Sequence, residues 1–521
     1  MAVIGWRLLA ASALVATAIW SMHIVSAGDA AGLFRDEGVY LVTARALASN
    51  AGYRQLNLPG APPEVRFPPL LPLALAAVWR LAPRFPENLP WLKAVCGIAG
   101  LGVGLLLPVY LQRIGFDPVV AAGAGALAML APLSMRYATA IASELPFALL
   151  ALAALWATER AIEPGRPAGA AVLAGAFAGL AVLTRAMGVA IVGAGLVTML
   201  TRTERSRAAA FGAAAGLVML PWLVWIATAG GPRGDLGYGA AFLSDGPPGI
   251  GAVLHHLFEL PAAVALVTIP GLADITTRDT PDVLLVGAYF AGLAILVLAL
   301  RHRFRTYVAL TLLVALATPW FQPRFLVPLA PLFGAALLAA VPRPAGDRAL
   351  TGVVLATLLA AACAGHRVQL AQVVATRVPA LERLPQSDVT WGDIDAVLMW
   401  LRAYTAPDDV LGSVHDPLIF LYTGRLAVRA FPSLWRPDPA QVSAELVAAG
   451  ARYLVDLPCP EDGAWAGAQR AWRAWIAEQA PHLTRVYDGA GGHIRVWRLD
   501  GVIPGLTRPA APPPAPGNAL G

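Results

Sequence analysis

Phe34-Arg35-Asp36-Glu37-Gly38-Val39-Tyr40 sets two adjacent carboxylates just after the first long apolar segment and just before a proline-rich loop. The segment ahead of it, Trp6 to about Ala27, is long enough to cross a bilayer, because a spanning helix needs about 20 apolar residues. Acidic side chains at the edge of hydrocarbon are costly and mark functional positions. The stretch therefore predicts a polytopic, helical membrane protein with its chemistry at one rim of the bundle.

Composition agrees. The chain of 521 residues is 58% hydrophobic and 13% charged, with mean hydropathy +0.64. Soluble domains carry about 25% charged residues, so this apolar surplus needs lipid to cover it. The formal net charge is +6, but no Lys/Arg run alternates with aromatic residues, which excludes a nucleic-acid face. Cys96, Cys363 and Cys459 offer neither a disulfide framework nor a Cys-x-x-Cys metal site. Abundant Ala, Gly and Pro, and Arg in place of Lys, suggest a GC-rich genome. Residues 6–27 also have the make-up of a cleaved secretory leader, but the many apolar segments that follow favour a retained helix.

Working outward, residues 28–88 form a long outer loop. It holds the acidic pair, an amphipathic stretch from Val39 to Ala48 expected at the interface, and Arg66-Phe67-Pro68-Pro69. Leu70 to Leu81 is short and reads as a re-entrant or juxtamembrane helix. Spans are expected at about 89–112, 117–138, 144–162, 167–185, 187–200, 208–229, 282–300, 305–320, 324–341 and 348–366, about eleven crossings in all. Residues 230–250, with Asp235, Tyr238 and Asp245, read as a loop. Residues 251–272, interrupted by Pro261 and Pro270, are placed at the interface.

The positive-inside rule tests this count. With the N-terminus cytoplasmic, Arg113, Arg160, Arg166, Arg202, Arg205, Arg207, Arg301, Arg303, Arg305, Arg343 and Arg348 all fall on the cytoplasmic face. Asp36, Glu144, the 230–281 region, Arg324 and the C-terminal tail fall outside. From about 367 to 502 charge returns to ordinary levels and helices, about 393–405 and 440–450, alternate with strands near 409–414, 452–456 and 484–498, the pattern of a small soluble α/β domain. Residues 503–521 are Pro/Ala-rich and read as disordered.

Asp36, Glu37 and Glu144 are the candidate catalytic acids. Each also suits a helix N-terminus, where acids cap and complement the dipole. Asp36 and Glu144 reach one membrane face by independent counting, however, and two carboxylates there can hold a divalent cation, Mg or Mn, or act as base and electrostatic partner. Arg66 and Arg324, with Arg136 and Arg185 as weaker candidates, suit a lipid-linked phosphate, which a guanidinium grips with two hydrogen bonds; the alternative for each is snorkelling to headgroups. His255-His256 resembles a metal pair, yet no acid or His cluster adjoins it in sequence.

The order of a first span, an Asp-Glu pair in a long outer loop, a basic residue before Pro-Pro, and an acid opening a later span resembles the GT-C glycosyltransferases. The resemblance is nearest to the bacterial dolichyl-phosphate-mannose-protein mannosyltransferase-like and aminoarabinose-transferase type. Arg324-Phe325-Leu326 is similar to that family's late Arg-aromatic-Leu motif. The segments Trp400-Leu401-Arg402, Pro407-Asp408-Asp409-Val410, Tyr422-Thr423-Gly424-Arg425 and Gly450-Ala451-Arg452-Tyr453 resemble its outer domain. The resemblance implies transfer of a sugar from a polyprenyl-phosphate donor to a protein, lipid or polysaccharide acceptor on the extracytoplasmic face of a bacterial inner membrane. It further implies Asp36 as catalytic base, Arg66 and Arg324 as phosphate ligands, and inversion at the sugar. Glu144 stands where relatives often carry Asp, which leaves the metal open. A transporter or flippase of lipid-linked sugars, a non-catalytic envelope-assembly protein with the tail as docking module, and a GT-C-like glycan ligase or polymerase are the competing readings.

Overall fold

The computed structural model describes residues 2–229, 249–275, 281–318, 321–342, 349–384, 388–429, 446, 448–459 and 463–500. The expectations for Asp235, Tyr238, Asp245, Arg343, Arg348 and residues 503–521, and most of the helix expected near 440–450, lie outside these. The chain divides into two compact units, Met1–Gln55 with Pro63–Arg383, and Leu56–Pro62 with Leu384–Gly521.

The first unit is helical. Its leading elements are α1 (Ala2–Ala27), α2 (Arg35–Ala48), α3 (Leu70–Leu81), α4 (Leu89–Arg113), α5 (Pro118–Leu130), α6 (Pro132–Ala138), α7 (Glu144–Ala161), α8 (Gly169–Thr184), α9 (Val189–Arg202) and α10 (Arg205–Ala229). Six described helices are long and apolar enough to cross a membrane: Gly5–Ala27, Leu89–Arg113, Arg205–Ala229, Ile250–Thr268, Asp282–Ala299 and Ala349–Thr376. The pair α5 and α6, bent by 52°, makes a seventh if taken together. Pro132 at the start of α6 removes a backbone donor and accounts for the break. Large apolar side chains such as Leu14, Ile98, Leu217, Phe290 and Val353 are exposed on the long helices. A contiguous apolar exterior of this kind is unstable in water and is covered by lipid. The protein is a multi-pass membrane protein.

Several expected elements differ. The Ile250–Thr268 helix runs unbroken through Pro261 and is long and apolar enough to cross a membrane. The segment expected at 324–341 opens as a 3-10 helix, Pro323–Leu329, because Pro323 and Pro328 withhold the N–H groups an α-helix uses. Helix α2 is not laid open along an interface: Val39 to Ala44 and Ala46 are all buried.

Close helix approach holds the bundle. A Cβ on Gly175 of α8 would lie 2.1 Å from the Phe211 carbonyl oxygen of α10, so only glycine lets these helices meet there. Phe147, Phe211, Leu326 and Phe333 belong to the core of the bundle, with 0% exposure each.

The second unit carries a five-stranded sheet in the order β2-β1-β3-β5-β4, with β1 Val410–Ser413, β2 Ala427–Arg429, β3 Ala451–Asp456, β4 Leu483–Gly489 and β5 Ile494–Leu499. Strands β2, β1 and β3 are parallel, whereas β5 and β4 are antiparallel. The helix Trp391–Tyr404 precedes β1 and opens with a capping box between Thr390 and Asp393. Trp472 and Trp475 stack on each other in the core of this unit.

Candidate active site

Asp36 sits in the first turn of α2, with Phe34 as N-cap and no side-chain capping bond. Its Oδ2 instead meets Arg324 Nη2 at 2.9 Å, and the two side chains keep 23% and 21% exposure. Burial raises the Asp36 pKa, but the guanidiniums of Arg324, Arg66 and Arg185 outweigh this and hold it below the usual carboxylate value. The Arg324 guanidinium lies over the Phe34 ring, 5.0 Å from its centroid, which fixes it beside the acid.

Glu144 opens α7 and is nearly fully buried against Arg185, with Nη1 to Oε1 at 2.8 Å. Ser143 stands at the N-cap but does not cap. Its Oγ accepts from Arg185 Nη1 and from the Tyr40 hydroxyl, each at 3.0 Å. Tyr40 lies one turn beyond Asp36 on α2, and its contact with Ser143, which Arg185 shares, links α2 to Glu144. Arg185 reaches them from the break between α8 and α9, where its backbone is extended. The return of the chain there needs Gly188, because a Cβ would lie 2.5 Å from the Val182 nitrogen.

Arg66 comes from the outer loop. Its presentation depends on Glu64, which sequence reading did not single out. Glu64 is fully buried; its Oε1 accepts from the Arg66 and Phe67 amides at 2.6 and 3.0 Å, and its Oε2 from Gln55 at 2.7 Å. Burial raises its pKa despite these bonds. Phe67 packs edge-on against Tyr40, with centroids 5.2 Å apart. The only sequence clue is an acid in a proline-rich loop, two positions from an arginine.

Glu37 lies elsewhere. Its oxygens accept from the amides of Gly32 at 3.0 Å and Ile141 at 2.8 Å, and it is fully buried. Glu382 accepts from Gly32 and Phe34 at 2.9 and 2.8 Å. Burial and the neighbouring Glu37 carboxylate push the Glu382 pKa well up. Lys93 of α4 donates to the carbonyls of Ala27 and Ala30 at 3.1 and 2.7 Å. Together these groups fix residues 27–34 and so aim Asp36. Glu382 and Lys93 were not singled out from sequence, since their partners are backbone groups far away in the chain. Arg136 is ion-paired to Asp274, whose Oδ1 also accepts from Gln369 at 2.8 Å. His255 pairs with Glu259 one turn along its own helix, at 3.2 Å.

The site therefore gathers three guanidiniums, of Arg66, Arg185 and Arg324, around two carboxylates, of Asp36 and Glu144. That is a surplus of one positive charge, suited to an anion. A divalent cation fits poorly: each carboxylate is already ion-paired, and a cation would face three guanidiniums. Among the described residues no trio of His, Cys, Asp and Glu gathers to hold one.

At the far end of α7, about 27 Å away at 1.5 Å rise per residue over 18 residues, lies a basic cluster. Glu163 binds Arg113 and Arg166 there, and Glu159 binds Arg303. Arg207 donates to the carbonyls of Ala161 and Arg166. A cavity of about 160 Å³, lined by apolar residues of α1, α4, α5 and α6, lies alongside the bundle and includes Trp20, Gly97, Ile98 and Met129.

This helical bundle, with its acid-and-arginine rim and a small mixed sheet in the second unit, has the GT-C glycosyltransferase fold. The chain is similar to ArnT from Cupriavidus metallidurans in the apo state, with TM-score 0.59, 16% identity, and 95% of this chain and 98% of that chain covered. The same protein bound to undecaprenyl phosphate matches with TM-score 0.57 and 15% identity over 95% and 98% of the two chains. The Archaeoglobus fulgidus oligosaccharyltransferase in complex with Zn and sulfate matches with TM-score 0.51 and 14% identity over 86% and 67%. Residues 67–225 match the family model for dolichyl-phosphate-mannose-protein mannosyltransferase. No curated protein matches by sequence.

Proposed function

We propose that this protein is an integral-membrane glycosyltransferase that moves a sugar from a polyprenyl-phosphate donor to an acceptor hydroxyl. The observation that carries this reading is the mostly buried, partly accessible Asp36–Arg324 ion pair, set in a cluster with one surplus positive charge. The family-model match and the likeness to a protein solved with undecaprenyl phosphate support the donor class.

In this reading Arg66, Arg185 and Arg324 bind the donor phosphate. Arg136 stays with Asp274, and Glu37 positions Asp36 through the loop. The phosphate competes with Asp36 for Arg324. As that guanidinium turns to the phosphate, Asp36 loses its main offsetting charge and becomes a stronger base. Asp36 then takes the proton of the acceptor hydroxyl while the oxygen bonds to the anomeric carbon. The bond from that carbon to the phosphate oxygen breaks, and polyprenyl phosphate leaves with its charge held by the arginines. One such displacement inverts the anomeric centre, and general-base assistance contributes about 10²–10⁴-fold. Glu144 holds Arg185 in place. The prenyl tail lies along the bundle, with the apolar cavity near α1 and α4 taking part of it.

The site then faces away from the cytoplasm of a bacterial inner membrane, with the basic end of α7 inside and the α/β unit outside. The acceptor is a protein, lipid or polysaccharide of the cell envelope. The test is release of free polyprenyl phosphate from a sugar-labelled donor. A transferase liberates it, whereas a flippase moves the donor intact.

A further inference from the structure

The first outer loop does more than carry Arg66. Its segment Leu56–Pro62 packs as part of the C-terminal unit, while the residues on either side belong to the helical unit. The base of this finger is pinned by the Arg54–Pro63 bridge, by Glu64 N donating to Tyr53 O at 3.0 Å, and by Gln55 Nε2 on Glu64 Oε2 at 2.7 Å. In its tip, Asn57 makes two hydrogen bonds within the C-terminal unit. The Asn57 carbonyl accepts from the amide of Ala427, the first residue of strand β2, at 2.9 Å. The Asn57 Nδ2 donates to Asp416 Oδ2 at 2.7 Å. Asn57 is 1% exposed and Asp416 0%. A charge-assisted bond between two buried side chains, 359 positions apart in sequence, is costly to leave unmade.

Glu64 links the base of the finger to the site, since the same carboxylate that binds Gln55 accepts from the Arg66 and Phe67 amides. We propose that Asn57, anchored on Asp416, is a positioning residue that sets Arg66 for the anionic group of the donor. This rests on the glycosyltransferase reading for the ligand, but not for the anchor itself. Asn57 touches no substrate; it acts through the loop.

The test uses the full-length protein in lipid nanodiscs with undecaprenyl phosphate as probe. Asn57→Ala is expected to weaken binding about tenfold, the scale of losing one buried hydrogen bond to a charged group. Because it acts through Arg66, the double variant Asn57→Ala, Arg66→Gln should bind no worse than Arg66→Gln alone. Exchanging donor and acceptor, Asn57→Asp with Asp416→Asn, should restore wild-type binding. Hydrogen exchange of the peptide spanning Glu64 to Phe67 should speed up in Asn57→Ala and recover in the exchanged pair. Fully additive losses in the double variant, or unchanged exchange at Glu64–Phe67, would overturn the positioning role. If the wild type fails to bind the probe, the donor reading falls, and the exchange measurement alone decides the anchor.

Discussion

Asp36 and Arg324 define the residue scale. Their pairing keeps the acid ionised below the ordinary aspartate value of about 3.9. A carboxylate depressed in the folded state contributes stability that is complete above its unfolded value and lost as pH falls through the folded one. Removing Arg324 leaves burial with less to oppose it, so the Asp36 value rises. In Arg324→Gln the acidic limb of a kcat/KM profile should therefore lie at higher pH than in the wild type, and donor KM should increase. Coincident acidic limbs would contradict the pairing. Asp36→Asn should reduce kcat by about 10²–10⁴-fold while donor binding persists. The residue types here were legible in the sequence: Asp36, Glu144, Arg66 and Arg324 were named from their charge beside apolar segments. Their pairing was not, because it joins positions hundreds of residues apart. Ser143 illustrates the limit: its sequence position is that of a cap, but its hydroxyl serves Tyr40 and Arg185.

At the scale of elements, the loop before α2 is the one on which the site depends. Glu382 supplies the acceptor for two of its amides from the far side of the Ala349–Thr376 helix. Glu382→Ala orphans the buried Phe34 N–H, while the Gly32 N–H keeps Glu37 as acceptor, and should cost about 1–3 kcal/mol. Glu382→Gln keeps an acceptor oxygen and should cost less than half as much. Because the Glu382 pKa is raised, its contribution is greatest at low pH and declines as pH rises through the folded value. Stability of Glu382→Gln should accordingly depend less on pH than that of the wild type, as thermal unfolding in detergent would report. Helix periodicity located α2, α3 and the α8–α9 break at Arg185 from sequence. It read Pro261 as an interruption within 251–272, although the helix continues through it. The finger at Leu56–Pro62 was invisible for another reason: nothing in a proline-rich loop announces that its tip packs with a strand 370 residues later.

For the whole molecule, composition alone pointed to a membrane bundle followed by a less apolar unit, since 58% hydrophobic residues exceed what one core can bury. The number of crossings was less legible. Several helices of 12 to 18 residues, such as Arg305–Leu316 and α7, are shorter or more charged than a simple span. Their polar ends are satisfied by other helices, a tertiary fact that no hydropathy window contains. The separation of the arginine cluster from the acid rim along α7 predicts opposite membrane faces for the two. A reporter fused after residue 500 should be active only outside the cytoplasm, and one fused at the N-terminus only inside.

The central claim is that Asp36 drives sugar transfer from a lipid phosphate held by its neighbouring arginines. Purified protein in nanodiscs, given polyprenyl-phosphate donors labelled in the sugar together with envelope extract as acceptor, tests it most directly. Wild type should release free polyprenyl phosphate with time while Asp36→Asn, binding the donor at least as tightly, releases almost none. Equal release by both enzymes, or movement of intact donor across the bilayer without release, would contradict the account.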